Sequence, residues 1–170
     1  MTESEMAGKA GTWKGWPVLV HSLRTAVAAV ASFLVARLFR LPESYWAPVT
    51  TLVITQSSLG AALAVSGQRF IGTALGAVVG AIVASCFAPS PLVFGISIFV
   101  LGILSAVAHS HRSAYRFAGV TLTIVLLVTR AEPAWRVAFH RFAEVSIGIA
   151  VALIFTVVWP EADDTPADKS

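Results

Sequence analysis

The stretch YWAPVTTLVITQSSLGAALAVSGQRFIGTALGAVVGAIVA, residues 45–84, decides the fold. It holds two apolar runs separated by a short break that carries one basic residue, Arg69. The first run has a polar middle. The second run repeats small residues at every fourth position, which are Gly72, Gly76, Gly80 and Ala84. On a helix this spacing places all four on one face, where a neighbouring backbone can approach closely. The stretch predicts a membrane helix with a polar middle beside a helix built for close packing.

The composition of the whole chain is that of a membrane protein. Hydrophobic residues make up 56% of the 170 residues and charged residues 12%, with a mean hydropathy of +0.79. Soluble domains carry about 25% charged residues, and a soluble fold of this size leaves too much of its chain at water to hide so much apolar surface. We predict an all-α polytopic protein. Its six transmembrane helices are expected at about residues 17–39, 45–63, 70–87, 92–108, 115–129 and 142–159.

The segments outside the spans define the expected domain organisation. Residues 1–16 predict a disordered tail, residues 17–160 the membrane module, and residues 161–170 an acidic disordered tail. Six spans place both termini on one side, and a small excess of basic residues on that side predicts that it is the cytoplasm. We expect a multi-pass protein of the cell inner (plasma) membrane. The basic residues are scattered among the loops, so no stripe for nucleic acid is expected.

The two halves of the chain share a spaced set of residues, which indicates an internal repeat. The corresponding residues are Val49-Thr50 and Val120-Thr121, Arg69-Phe70 and Arg141-Phe142, and Gly76 and Gly148. Each half carries three predicted spans, an odd number, so tandem copies must face opposite ways across the bilayer. Inverted repeats of this kind place a transport site at their interface. The alternative is chance similarity between two apolar sequences.

Several kinds of chemistry are not predicted. No acidic residue falls in the middle of a predicted span, so a buried carboxylate relay is not expected. Glu144 comes closest, one turn after Arg141, which can neutralise it. His109 and His111 have no carboxylate or cysteine nearby, so no metal site is expected. Cys86 is the sole cysteine, which excludes an intramolecular disulfide. No nucleophile and base occur together, so neither an enzyme nor a cofactor is predicted.

Basic residues near span ends, with a polar helix middle between them, suit an organic anion. Arg69 directly precedes the predicted glycine helix, whose free first-turn amides could join its guanidinium in binding a carboxylate. Polar side chains of the neighbouring spans could donate further hydrogen bonds. The predicted substrate-binding residues are Arg69, Gln56, Thr55, Thr73, Arg24 and Arg141. The alternatives are a topology charge at the interface for Arg69 and a snorkelling anchor for Arg24.

Taken together, these residues resemble the fusaric acid resistance family of membrane proteins, also called the aromatic acid exporters. The resemblance covers about residues 20–160. It is carried by Arg24-Thr25-Ala26, Tyr45-Trp46-Ala47-Pro48-Val49-Thr50, Gln56, Arg69, Gly72-Thr73, Gly76, Arg141, Gly148 and Pro160. It implies a six-span module related in architecture to plant aluminium-activated malate transporters. It also implies export of aromatic or other organic carboxylates, with both termini in the cytoplasm.

The chain departs from that family in two respects. Larger members often carry two such modules and a cytoplasmic domain, whereas one module is seen here. Ser57 stands where the family often has a proline, next to Gln56. A single module suggests self-association into a homodimer. The glycine face of the third predicted span is one candidate contact, and it could equally pack inside the module.

We therefore predict an integral membrane exporter of organic carboxylic acids, aromatic ones in particular. Its expected partners are a small organic anion, the lipid bilayer and a second copy of the chain. One alternative is a passive anion channel, which the lack of buried carboxylates favours. The other is a membrane scaffold that transports nothing and binds a protein partner.

Overall fold

The computed structural model describes residues 15–55, 58–107, 112–128 and 132–159, and this part of the chain is helical apart from short connections. The expected all-α class is confirmed. Residues 1–14 and 161–170 of the predicted tails lie outside the described residues, whereas Gly15 and Trp16, predicted as tail, begin the first helix. The helices are α1 (Gly15–Leu38), α2 (Trp46–Ile54), α3 (Leu59–Cys86), α4 (Pro91–Val107), α5 (Arg112–Leu127) and α6 (Ala134–Val158).

The helices differ in whether they are long enough to cross a bilayer. Three segments have the length and apolar character of a full span, namely Val18–Leu38 within α1, and α3 and α6. Helices α4 and α5 are apolar but shorter. Helix α2 has nine residues and measures about 13 Å by the rise of an α-helix, less than half of a hydrocarbon core of roughly 30 Å. The six described helices match the predicted number of spans, but only three of them have a full span's length.

Three predicted boundaries were wrong, at the end of the second span and at the starts of the third and the sixth. Helix α2 ends at Ile54 and not at about residue 63. Helix α3 begins at Leu59, eleven residues before the predicted start, and the Ser58 hydroxyl caps it by accepting the Ala61 N–H at 3.3 Å. Helix α6 begins at Ala134, directly after Pro133. At the starts of the third and sixth spans, the predicted boundary directly follows an arginine. A helix continues through such a residue when the charged side chain finds partners inside the bundle, which hydropathy cannot show.

Helices α3 and α6 run antiparallel through the centre of the bundle. Ala62 of α3 clusters with Ala152 of α6, while Ala77, further along α3, clusters with Ala138, further back along α6. These contacts between small side chains bring two long helices close together over several turns. The remaining helices pack around this central pair.

The small-residue face of α3 packs against α5 within the chain. That face comprises Gly72, Gly76, Gly80 and Ala84. A Cβ at Gly72 or Gly76 would collide with the backbone carbonyl oxygen of Ala114 or Ala118. Ala84 packs beside a buried cluster of α4 and α5 residues. The glycine face therefore packs inside the chain and not against a second copy, because α5 covers it.

The second half of the chain reproduces this glycine contact on the other side of the bundle. We call the two glycine contacts, α3 against α5 and α6 against α2, the glycine seams. Equivalent residues meet in both: Gly76 faces Ala118 and Thr121, and Gly148 faces Ala47 and Thr50. Since α3 and α6 are equivalent and antiparallel, the halves are related by an approximate two-fold axis perpendicular to them. This is the inverted arrangement that the spacing of the repeat indicated.

Candidate functional site

The arginines predicted to bind substrate lie inside the bundle. Arg24, Arg69 and Arg141 are 1%, 7% and 2% exposed. Arginine is rarely buried unless its charge is paired, and a charge within a membrane protein commonly marks a substrate or ion pathway. The interface-charge alternative for Arg69 does not fit this burial.

Arg69 is held by a hydroxyl and an aromatic ring. Its Nε and Nη2 atoms donate to Thr50 Oγ1 at 3.2 and 3.1 Å. Its guanidinium carbon lies 4.8 Å from the centre of the Phe117 ring, a favourable cation–π distance. Among the described residues, no carboxylate lies within ion-pair distance of this guanidinium. Within the described part of the chain, the positive charge of Arg69 is therefore solvated by neutral groups alone.

One part of the predicted site was wrong. Arg69 is the eleventh residue of α3 and does not stand before its first turn. The first-turn amides of that helix are therefore about 10 Å or more away along the axis and cannot share a ligand with the guanidinium. Thr73, one turn after Arg69, is buried. The Thr55 hydroxyl donates to the Thr51 carbonyl oxygen at 2.7 Å. Gln56 lies outside the described residues.

Arg141 stands in a different environment from Arg69. Its guanidinium carbon lies 3.8 Å from the centre of the Trp46 ring. Its Nη1 atom donates to Glu144 Oε2 at 3.1 Å and lies 3.8 Å from Glu43 Oε2. Two acids thus approach one nitrogen of a single guanidinium.

Glu144 and Glu43 are functional candidates that the sequence reasoning missed. Glu144 is fully buried, and its Oε1 atom accepts the Glu43 backbone N–H at 3.1 Å. The expectation that no acid lies in the middle of a span was wrong, because α6 begins at Ala134 and places Glu144 eleven residues into a helix of 25. The available signal was the three-residue spacing of Arg141 to Glu144, which by itself indicates only mutual neutralisation.

The two arginine environments are related by the approximate two-fold axis. Arg69 lies over Phe117 and Arg141 lies over Trp46, and these aromatic residues directly precede the equivalent alanines of the glycine seams. On α3 and α6, the residues that follow the two arginines, Phe70 and Phe142, contact each other with ring centres 5.0 Å apart. A contact between equivalent residues must lie on or near the axis, so both arginines are close to it.

The symmetry fails at the two acids. Where Arg69 is followed three residues later by Gly72, Arg141 is followed by Glu144. Gly72 packs against the Ala114 backbone, whereas Glu144 bonds to the backbone of Glu43. Within the described residues, Arg141 therefore has acids beside it and Arg69 has none.

Arg24 lies apart from this centre. Its Nη1 atom donates to the Trp159 carbonyl oxygen at 2.9 Å, beyond the end of α6. Trp159 is 18 residues after Arg141 in sequence, about 27 Å along a helix. The structure does not bring Arg24 to the other two arginines. Its bond joins the first half of α1 to the end of α6.

Two other features do not contribute to an anion site. A cavity of about 280 Å³ between α3 and α4 is lined by apolar residues and Ser97, so it offers no charge to a carboxylate. Among the described residues, no three side chains of His, Cys, Asp or Glu gather as metal ligands. His109 and His111 lie outside the described residues.

Comparison with known proteins gives consistent relationships. The sequence model of the fusaric acid resistance protein-like family matches residues 28–155. The inner membrane protein YeeA of Escherichia coli K12 is 32% identical over 152 residues, covering 84% of this chain and 41% of YeeA. The uncharacterized transporter YdhK of the same strain is 30% identical over 156 residues, covering 86% of this chain and 23% of YdhK.

A third relative is more distant. A putative arylamide transporter of Mycobacterium tuberculosis H37Rv is 24% identical over 146 residues, covering 84% of this chain and 40% of that protein. This chain thus spans about two fifths or less of the length of these curated relatives. No solved structure matches it.

Proposed function

This chain belongs to the fusaric acid resistance protein-like family, and from that premise we propose that it is an integral membrane transporter that exports organic carboxylic acids, aromatic ones in particular. Two relatives carry transporter names, one of them an arylamide transporter. Transport of this kind requires a binding site and a change of access, and no covalent chemistry.

The observation that carries the proposal is the environment of Arg69. Burying a guanidinium whose described partners are one hydroxyl and one aromatic ring costs free energy in a membrane protein. A carboxylate entering beside it would supply the missing negative charge through charge-assisted hydrogen bonds. The Thr50 hydroxyl bonds to the guanidinium, Thr73 lies one turn further along α3, and Phe117 lies beside the guanidinium as an aromatic partner for a ring-containing ligand. An aromatic carboxylate is the ligand that uses all of these groups.

The arrangement of the helix ends supports a multi-pass topology with both termini on one side. The Arg24–Trp159 bond places the first half of α1 beside the end of α6. The excess of basic residues on that side favours the cytoplasm. We extend the proposal to an inner-membrane protein with cytoplasmic termini, acting as a homodimer whose contact is not the glycine face of α3.

The passive anion channel is less well supported by the folded chain than by the sequence alone. The sequence favoured a channel because no buried carboxylate was expected. Glu144 is buried beside Arg141, so that reason no longer holds, and a coupled transporter is the better proposal.

The test is uptake of labelled 4-hydroxybenzoate into proteoliposomes of the purified protein, with and without a proton gradient. The Arg69→Ala variant should lose about 10- to 100-fold in affinity or flux, since a hydrogen bond to a charged group is worth about 1.5–3 kcal/mol. Arg69→Lys keeps the charge but loses the bidentate geometry, so it should retain part of the flux.

The matched control is Arg136→Ala, which removes an exposed arginine at the start of α6 and should leave flux unchanged. Normal flux in folded Arg69→Ala would remove Arg69 from the site. No flux of this acid or of other carboxylates in the folded parent protein would favour the scaffold alternative. Flux that ignores the proton gradient would restore the channel.

A further inference from the structure

Four charged side chains meet near the two-fold axis, and the proposed anion site uses only one of them. Glu144 faces Arg141 from the same helix, and Glu43 reaches both from the connection between α1 and α2. Arg69 of α3 directly precedes Phe70, whose ring centre lies 5.0 Å from that of Phe142, the residue that follows Arg141. The one other titratable group with a described contact here is Tyr45, whose hydroxyl donates to Glu43 Oε1 at 2.9 Å.

The net charge of these four side chains is zero only while the anion site is empty. With all four ionised, two carboxylates cancel two guanidinium groups. A neutral set is tolerated in a low-dielectric interior, whereas a net charge is costly. When a carboxylate binds at Arg69, the set acquires one net negative charge. One added proton restores neutrality.

We propose that the Glu43–Glu144 pair is a proton-binding site, which takes up one proton when an organic carboxylate binds at Arg69. The proton is transferred from a hydronium ion of the solvent, whose O–H bond breaks to leave water while an O–H bond forms with a carboxylate oxygen of the pair. This inference rests on the proposed function, because it assigns the coupling ion of the same site. The anion and the proton then cross the membrane together, so export follows the outward gradient of the acid.

The geometry gives the proton a route to the buried acid. The Glu43 side chain is 18% exposed and the Glu144 side chain is fully buried. Both contact the same Nη1 atom of Arg141, at 3.8 and 3.1 Å. Glu43 is thus the more accessible of the two acids, and a proton that reaches it changes the charge that Glu144 meets across the same nitrogen. The other half of the repeat has Gly72 and Ala114 at these positions, so the described residues hold this proton site in one half only.

The thermodynamic linkage between anion binding and proton binding predicts how the anion affinity changes with pH. If one proton accompanies each anion, the anion binds more tightly as the pH falls, by up to about tenfold per pH unit. Replacement of Glu144 by Gln leaves the empty site with one net positive charge. The anion then neutralises the site without a proton, so its affinity no longer depends on pH.

The experiment is isothermal titration of 4-hydroxybenzoate into the purified full chain in detergent, between pH 6 and 8. Each titration is run in two buffers of different ionisation enthalpy, so that the heats give the number of protons taken up per anion bound. The variants are Glu144→Gln and Glu43→Gln. The control is Glu132→Gln, which alters an exposed acid paired with His140 at 3.9 Å near the start of α6.

The expected result is uptake of close to one proton per anion by the parent protein and by Glu132→Gln. Glu144→Gln should bind the anion with no proton uptake and with pH-independent affinity. Binding by the parent protein without proton uptake would overturn the coupling and leave the anion site standing. Absence of any binding heat would overturn the proposed function and the coupling with it. If Glu144→Gln does not fold, the same two criteria apply to Glu43→Gln.

Discussion

Thr50 is the residue on which the arrangement of Arg69 depends most directly. Its hydroxyl accepts two hydrogen bonds from the guanidinium, and its Cβ lies against Gly148 in the α2–α6 seam. The Thr50 side chain therefore has two roles. Its hydroxyl holds Arg69 in place and its carbon atoms pack against Gly148, so the two roles can be separated by substitution.

Replacing Thr50 by Val should lower the free energy of unfolding by about 1–3 kcal/mol, because a buried charged donor loses its acceptor while the shape is kept. The same variant should weaken anion binding, since Arg69 is no longer held in place. Thermal denaturation in detergent, followed by tryptophan fluorescence, measures the first effect, and titration with 4-hydroxybenzoate measures the second.

Thr50→Ser is the matched control for that substitution. It keeps the hydroxyl and removes only the methyl group, so it should keep most of the affinity. Equal loss of affinity in Thr50→Ser and Thr50→Val would show that packing against Gly148, and not the hydrogen bond to Arg69, is what matters.

At the scale of helices, two glycine seams hold the halves of the molecule together. In each seam a glycine of a long helix lies against a carbonyl oxygen and a threonine of the shorter helix that runs parallel to it. Close approach of this kind gains dispersion contacts that a larger residue would prevent. Because the two seams are equivalent, they should respond alike to the same substitution.

Gly148→Ala should destabilise the protein by about 1–3 kcal/mol, because overpacking a tight contact forces neighbouring backbones apart. The added Cβ would lie 2.5 Å from the Ala47 carbonyl oxygen and 2.6 Å from Thr50 Cβ. Gly76→Ala, in the equivalent seam, should cost a similar amount. Melting temperatures in detergent provide the measurement.

Gly67→Ala is the control, because a Cβ at Gly67 meets nothing within 4 Å. It should leave stability unchanged or raise it by up to about 1 kcal/mol through helix propensity. A Gly148→Ala variant as stable as the parent would mean that the α2–α6 seam is looser than described.

At the scale of the whole molecule, the antiparallel central pair fixes which helix ends share a face of the bundle. The end of α3, at Cys86, lies by the start of α6, since Ala81 and Ala134 pack on the same cluster. The end of α6 lies at the opposite face, beside the first half of α1.

Cys86 should therefore react from the side of the membrane opposite to the two termini. It is the sole cysteine and is exposed, so the parent chain can be labelled directly with a membrane-impermeant maleimide in intact and in permeabilised cells. Labelling of Cys86 in intact cells is expected if the termini are cytoplasmic.

A Cys86→Ser chain carrying Ser170→Cys provides the comparison, and should be labelled only after permeabilisation. Labelling of both cysteines from one side would contradict the inverted arrangement of the halves. Labelling of Ser170→Cys in intact cells, with Cys86 protected, would keep the arrangement and reverse the orientation.

The sequence predicted the class of the fold well and the helix boundaries less well. Apolar runs are local, so the number of helices and the glycine face of α3 could be identified from spacing. The starts of α3 and α6 were missed because Arg69 and Arg141 interrupt hydropathy without interrupting the helix. Whether a charge ends a span depends on partners that are far away in sequence, such as Thr50 for Arg69.

The candidate site was predicted in part for the same reason. Arg69 and Arg141 were identified as basic residues near predicted span ends. Glu43, Trp46 and Phe117 were not, because they belong to other parts of the chain and approach the arginines only after folding.

By itself, the sequence determined that this is a helical membrane protein of two similar halves with arginines at matching positions. Those properties follow from composition and periodicity, which are local along the chain. The tertiary structure alone decided that α5 covers the glycine face and that, in the described part of the chain, acids lie beside Arg141 and not beside Arg69. Burial and pairing are properties of surfaces in contact. Where a charge must be compensated by a residue a hundred positions away, only the folded chain shows which residue that is.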